Sequence, residues 1–254
     1  MRSPLLLRPL LFLPLLCACT AKPKPVTVPP ELHEIVQYLQ AHPAAGAILT
    51  LADTGAAAVA QAGRTPFQEP AGEAALLARD VTALQQLMEQ QHLDYLLTTE
   101  PDLHDAPQLT QDKKVLLPSL LTHLMTLYGT GTRDQACVDG LALVATSSVI
   151  RNVGGRHLPA GLLWQRVPGA RLVLHKLVPG IPVRVETRRT FAGQTFVFDC
   201  QKRADNQGNL ELRFPYAALA DAPVQMWTAM GKVGEPIPVT PEAVVKGLVV
   251  DLTQ

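Results

Sequence analysis

The chain has no excess of charge, few aromatic side chains and no long apolar run. Its 22 Lys and Arg are balanced by 22 Asp and Glu, for a formal net charge of +0. A nucleic-acid surface needs a basic excess to neutralise phosphates, so that class of partner is excluded. Aromatic residues are 5% of the 254 residues, with two tryptophans among them; platforms for stacking sugars must be few. No Gly-x-Gly-x-x-Gly and no phosphate-cradling loop occurs, which argues against nucleotide use. Ser147 and Ser148 have no nucleophile elbow around them, so serine hydrolysis has no foothold. No cofactor and no metal is called for. Cysteine is equally sparse, at four.

What the chain does have begins with a processing signal. Arg2 and Arg8 supply positive charge, and Leu10 to Leu16 form an apolar core too short for a comfortable membrane span. Leu16-Cys17-Ala18-Cys19 follows, and it resembles the lipobox of bacterial lipoproteins. The resemblance implies cleavage after residue 18 and acylation of Cys19, a firm anchor once several methylenes per chain are buried. Thr20 stands where an Asp would retain a lipoprotein at an inner membrane. The expected location is the periplasmic face of the outer membrane. Residues 19–30, with Lys22, Lys24 and several prolines, read as an extended tether. Cys137 and Cys200 remain in the body of the chain, either bridged, as export permits, or as separate buried thiols.

Residues 31–135 read as an α/β domain. Leu32, Ile35, Val36 and Leu39 mark one face of a helix over Glu31–His42. Ala47 to Leu51 is a buried strand, Asp53-Thr54-Gly55 a polar turn, and the alanine-rich run to Ala62 a small helix stopped by Gly63. A longer helix is expected over Glu73–Gln91, a strand over Leu93–Thr99 parallel to the first, and a helix over Leu116–Tyr128. From Gly140 the apolar period changes to two. Residues 136–254 therefore read as an all-β sandwich, with a hairpin turn at Asp205-Asn206-Gln207-Gly208.

Asp53 stands at a strand's carboxyl end and a helix start, where open α/β sheets bind ligands. An N-cap is the simpler role for it. Glu100, Asp102, His104 and Asp105 cluster after the next strand, where carboxylates and an imidazole also suit ligand binding, although their spacing matches no standard metal site. Trp164 and Trp227 lie on expected strands, where core packing is the natural role.

Several motifs fall in one order. Leu51-Ala52-Asp53-Thr54-Gly55 ends the first strand. Leu127-Tyr128-Gly129 ends a helix. Val167-Pro168-Gly169-Ala170, Ala204-Asp205-Asn206-Gln207-Gly208, Pro215-Tyr216-Ala217-Ala218 and Val239-Thr240-Pro241-Glu242-Ala243-Val244 follow. Together, from Pro30 to Leu252, they resemble the soluble domain of the oligosaccharyltransferase catalytic subunit of the archaeal and bacterial single-subunit type. The family's Trp-Trp-Asp-Tyr-Gly motif falls on Leu51 to Gly55, and only Asp53 and Gly55 match. In the family the tryptophans and the aspartate hold the acceptor's Ser or Thr hydroxyl, a task Leu51 and Ala52 cannot perform. Asp112-Lys113-Lys114 is similar to an Asp-Lys element near the family's acceptor site. Glycosyl transfer in the family also requires acidic loops of a multi-span membrane domain, a divalent metal and a lipid-linked donor, none of which this sequence supplies.

The expectation is a non-catalytic, lipid-anchored interaction module. Asp53, Gly55, Glu100, Asp102 and His104 are its candidate binding residues, with a protein, peptide or glycan as partner. The alternative is a hydrolase or transferase with a new acidic site near Asp53 and Glu100 to Asp105.

Overall fold

The computed structural model describes residues 29–43, 46–78, 81–105, 119–130, 137–153 and 155–252; at residues 103–105 it describes the chain trace alone. After a short 3-10 turn at Pro30–Leu32 come α1 (His33–Ala41), β1 (Ala47–Thr50), α2 (Asp53–Gln61), β2 (Pro66–Phe67), α3 (Pro70–Leu77), α4 (Thr82–Gln90), β3 (Leu93–Thr99), α5 (Glu100–Asp105) and α6 (Leu120–Leu127). The strands β4 (Leu141–Thr146), β5 (Ile150–Val153), β6 (Arg156–Pro159), β7 (Gly161–Arg166), β8 (Ala170–Leu174), β9 (Pro182–Phe191), β10 (Gln194–Arg203), β11 (Leu210–Phe214), β12 (Val224–Thr228) and β13 (Gly231–Ile237) follow. Helix α7 (Pro241–Lys246) and β14 (Val249–Leu252) close the series.

The first sheet has five strands in the order β2-β1-β3-β7-β4. Strand β1 pairs in parallel with both β2 and β3, whereas β7 joins β3, and β4 joins β7, antiparallel. Alternate residues of a strand face opposite sides, and here both sides are apolar. Ile48, Tyr95 and Leu97 pack with Ile35, Leu39 and Val59 of α1 and α2. Leu49, Leu96 and Trp164 pack on the other side with Leu76, Leu84 and Leu124 of α3, α4 and α6. Two helical layers thus cover a central sheet, as parallel strands require. The segment after residue 136 supplies β4 and β7 to this sheet, so the expected boundary at residues 135 and 136 precedes two of its strands and the sandwich strands start at β8.

The second unit is a β-sandwich of a four-stranded sheet, β10-β9-β12-β13, against a three-stranded sheet, β11-β8-β14. Val183, Val185 and Phe198 of one face meet Leu172, Leu212 and Phe214 of the other. Phe198 packs edge-on against Phe214 and Tyr216, with centroids 5.6 and 4.9 Å away. Several links fasten the sandwich to the first unit, two of which are long-range ties to β4 and to the segment before it. The Tyr216 hydroxyl accepts a 2.8 Å hydrogen bond from the Leu143 N–H of β4, and Cys137 is disulfide-bonded to Cys200.

Two expectations are corrected. The helix expected over Glu73–Gln91 is two helices, α3 and α4. Ala78 leaves the helix with an extended ψ of 167°, and its carbonyl accepts a 2.7 Å bond from the Leu120 N–H at the start of α6. A tertiary hydrogen bond here overrides helix propensity. The turn at Asp205–Gly208 forms, with Asp205 Oδ1 accepting from the N–H groups of Gln207 and Asn209 at 2.8 Å each. It does not join a hairpin, because β10 belongs to the four-stranded sheet and β11 to the three-stranded one. A tight hairpin does join β9 and β10, at Ala192 and Gly193, whose φ angles of 48° and 77° suit the twist of paired strands.

Candidate functional site: a cavity at the strand ends

Because β1 and β3 run parallel, they end side by side, and α2 and α5 start side by side. The four-residue run Thr99-Glu100-Pro101-Asp102 is a Ser/Thr-x-x-acid sequence of the kind that closes on itself at a helix start. Asp102 Oδ2 accepts from the Thr99 N–H at 2.6 Å. Its other oxygen, Oδ1, reaches across and accepts from the Ala52 N–H at 2.9 Å. Asp102 is 3% exposed. One buried carboxyl group therefore ties together the ends of both strands.

The Leu51–Ala52 corner is held from other directions as well. Gln68 Nε2 donates to the Leu51 carbonyl at 2.9 Å, and Thr50 Oγ1 donates to the Ala52 carbonyl at 3.2 Å. Gly55, in the first turn of α2, lies against Thr50: a Cβ built on it would stand 2.3 Å from Thr50 Oγ1. Only glycine lets α2 settle this closely on the strand end.

A cavity of about 330 Å³ opens beside this corner. Leu51 and Ala52 form one wall, Pro70 and Leu77 of α3 a second, and Leu121 of α6 a third. Asp102 lies buried against it, and Glu69 and Glu73 stand exposed at its edge. Among the described residues no Lys, Arg or His lines it. The size falls in the range of ordinary small-molecule or side-chain pockets, and its place at the carboxyl ends of parallel strands is where α/β sheets bind ligands.

The candidate residues fall as follows. Asp53 is the first residue of α2, not its cap; Ala52 occupies the cap position, with no side-chain capping bond. Asp53 is exposed, makes no side-chain hydrogen bond among the described residues, and does not line the cavity. What remains to it is a favourable charge in the first helical turn. Gly55 is a packing residue. Glu100 is half-buried on α5, and its N–H donates to the Ala160 carbonyl at 3.0 Å. The chain at His104 continues α5, and its side chain, like Cys19 and Asp112-Lys113-Lys114, lies outside the described residues. Among the described residues no group of three His, Cys, Asp or Glu is placed to hold a metal ion. Of the expected set, then, Asp102 alone enters the cavity.

Thr50, Gln68, Glu69, Pro70, Glu73, Leu77 and Leu121 also line the cavity, and nothing in their spacing along the chain groups them. Trp164 is fully buried, and its indole N–H donates to Thr98 Oγ1 at 3.3 Å. Trp227 lies on the sandwich under the Arg184 guanidinium, 5.6 Å from the ring centroid. Near the cavity's Leu121, the α6 residue His123 is fully buried. Burial pushes its pKa down, opposed by its hydrogen bond to the Thr130 carbonyl. The neutral ring donates Nε2–H to that carbonyl and holds the end of α6.

No protein-family model matches the chain, and no curated protein sequence matches it. Solved structures do. The archaeal oligosaccharyltransferase AglB from Archaeoglobus fulgidus, in complex with an inhibitory peptide and a dolichol-phosphate, superposes with a TM-score of 0.61 at 12% identity, over 84% of this chain and 38% of that one. The Archaeoglobus fulgidus oligosaccharyltransferase in complex with Zn and sulfate gives 0.61 at 13% identity, over 84% and 42%. The same enzyme tethered through a disulfide to an acceptor peptide containing the NVT sequon gives 0.60 at 12%, over 84% and 39%. The chain spans about two fifths of the length of these structures, and the matched part is their soluble C-terminal region. At this identity the likeness is one of fold.

Proposed function

We propose that this chain, an oligosaccharyltransferase-like soluble module in its fold, is a non-catalytic peptide-binding protein held at a membrane surface by a lipid on Cys19. The observation that carries the binding role is the cavity between β1, α3 and α6, at the strand ends where such a fold presents ligands. Two of the solved relatives are described with peptides bound or tethered, which favours a peptide over other ligands.

The non-catalytic reading rests on what the buried carboxylate does. Both Asp102 oxygens accept backbone N–H groups, so the carboxylate is occupied in positioning the two strand ends rather than facing a substrate. The anchor reading rests on Leu16-Cys17-Ala18-Cys19. No helix among the described residues is long and apolar enough to cross a membrane. The proposed setting is the periplasmic face of a bacterial outer membrane.

Two measurements test this reading. The intact lipoprotein, incubated with an immobilised pool of degenerate acetylated peptides, retains a saturable fraction; retention no greater than on a blank matrix contradicts the binding role. The Cys19→Ala variant moves from the membrane to the soluble fraction on ultracentrifugation, and persistent sedimentation with membranes contradicts the anchor.

A further inference from the structure

We infer that the cavity takes a basic side chain, lysine or arginine, of the bound peptide. This rests on the peptide-binding reading above and names the part of the peptide that enters. Every charged residue that lines the cavity among the described residues is acidic: Glu69, Glu73 and Asp102. Glu69 occupies the cap position of α3, yet its side chain makes no capping bond. Neither its side chain nor that of Glu73 makes a hydrogen bond or an ion pair among the described residues, and both residues are exposed at the mouth. Some surface acids elsewhere are paired, as in Arg171–Glu211 at 2.9 Å and Lys246–Glu242 at 2.8 Å; what sets Glu69 and Glu73 apart is that both stand at the mouth of one cavity.

The walls are apolar. Leu51, Ala52, Leu77 and Leu121 bound the space below that mouth. A lysine or arginine side chain has the same division, a run of methylenes that gains from apolar contact and a charged head that stays near water. A carboxylate-bearing ligand would meet like charge at the mouth. A purely apolar one would leave Glu69 and Glu73 partly desolvated without compensation. The start of α3 offsets some of the negative field, but it cannot reverse it with three carboxylates at the site.

The test compares three immobilised pools of acetylated peptides, alike except for lysine, norleucine or glutamate at the central position. The lysine pool is expected to bind about tenfold tighter than the norleucine pool, and the glutamate pool least well. The Glu69→Gln/Glu73→Gln double variant is expected to lose about that tenfold preference while melting as the parent does, since neither side chain holds the fold. Added salt weakens the lysine pool selectively. Equal binding of the lysine and norleucine pools, or a preference that survives the double variant, overturns the inference and leaves peptide binding intact. Binding to none of the pools overturns both. Competition by free 1,5-diaminopentane as strong as by the lysine pool reassigns the site to free amines and overturns the peptide side-chain inference.

Discussion

The sandwich and the first sheet treat charge differently. On the outer face of the four-stranded sheet, Arg184 lies 3.0 Å from Glu186 and 3.9 Å from Asp199. Glu186 and Asp199 stand opposite each other on paired strands, a like-charge juxtaposition that the shared arginine relieves. Burial still pushes the Asp199 pKa up against the pull of Arg184. This cluster on the sandwich is therefore matched within the protein, and the sandwich interior is closed by the Phe198, Phe214 and Tyr216 rings. At the ends of β1 and β3 the pattern inverts. Strands β1 and β3 end side by side, a cavity opens between that corner, α3 and α6, and among the described residues Glu69 and Glu73 at its mouth have no cation partner. A closed core with paired charges is what stability requires. An open cavity with unpaired charges of one sign is what a ligand requires, and the two lie in separate parts of this molecule.

That division can be broken in order of expected effect. Opening the Cys137–Cys200 bridge, which spans a sequence separation of 63 residues, frees a long loop in the unfolded chain and costs about 4 kcal/mol on the chain-entropy model. Denaturant unfolding of the Cys200→Ser variant measures it, and peptide retention at low denaturant stays unchanged if the division holds. Asp102→Ala leaves the Ala52 and Thr99 N–H groups without their acceptor and costs about 3 kcal/mol. Unlike the bridge, it also loosens the Leu51–Ala52 wall, so binding falls together with stability. A variant that loses stability and binds normally would show that the corner is not the cavity's support.

A smaller effect comes with pH. His123 is buried with its pKa below the ordinary 6.5. The unfolded chain takes up that proton first on acidification, so the stability contributed by the neutral ring is complete above about pH 6.5 and declines as pH falls towards the folded-state pKa. Melts across this window should flatten in His123→Phe relative to the parent. An identical pH slope in both proteins would locate the titration elsewhere. Smallest is Asp53→Asn. With no capping bond to lose, it removes one favourable charge from the first turn of α2 and costs at most about 0.5 kcal/mol. A loss of several kcal/mol would give Asp53 a partner it does not have among the described residues.

Much of the fold was legible in the residues, because each legible part is set by local pattern. The stripe Leu32, Ile35, Val36, Leu39 produced α1, and the apolar runs before Thr50 and Thr99 produced the parallel pair. The change to an apolar period of two after Gly140 marked the strands, as at Val183, Val185 and Thr187 of β9. What was not legible depends on distant partners. The break between α3 and α4 is fixed by the Leu120 N–H, more than forty residues past Ala78. The Asp205 turn is locally sound, but the sheet that receives Leu210, Leu212 and Phe214 is chosen by an inner face that no turn residue reports. The site was legible only in part. Asp53 was favoured by its place after a strand, yet the helix starts one residue earlier than a cap at Asp53 allows. Asp102 carried a signal in Thr99-x-x-Asp102. The remaining cavity residues come from the loop before α3, from α3 and from α6, and no spacing in the sequence links them.

The central claim is that the space beside Ala52 is where a peptide binds. The direct measurement is fluorescence anisotropy of the labelled lysine-centred peptide pool with the intact protein and with Leu77→Trp, whose larger side chain fills the cavity from the α3 wall. The account predicts saturable binding to the parent and its loss in a variant that still folds, as circular dichroism would confirm. Equal binding to both proteins, or none to either, would contradict it.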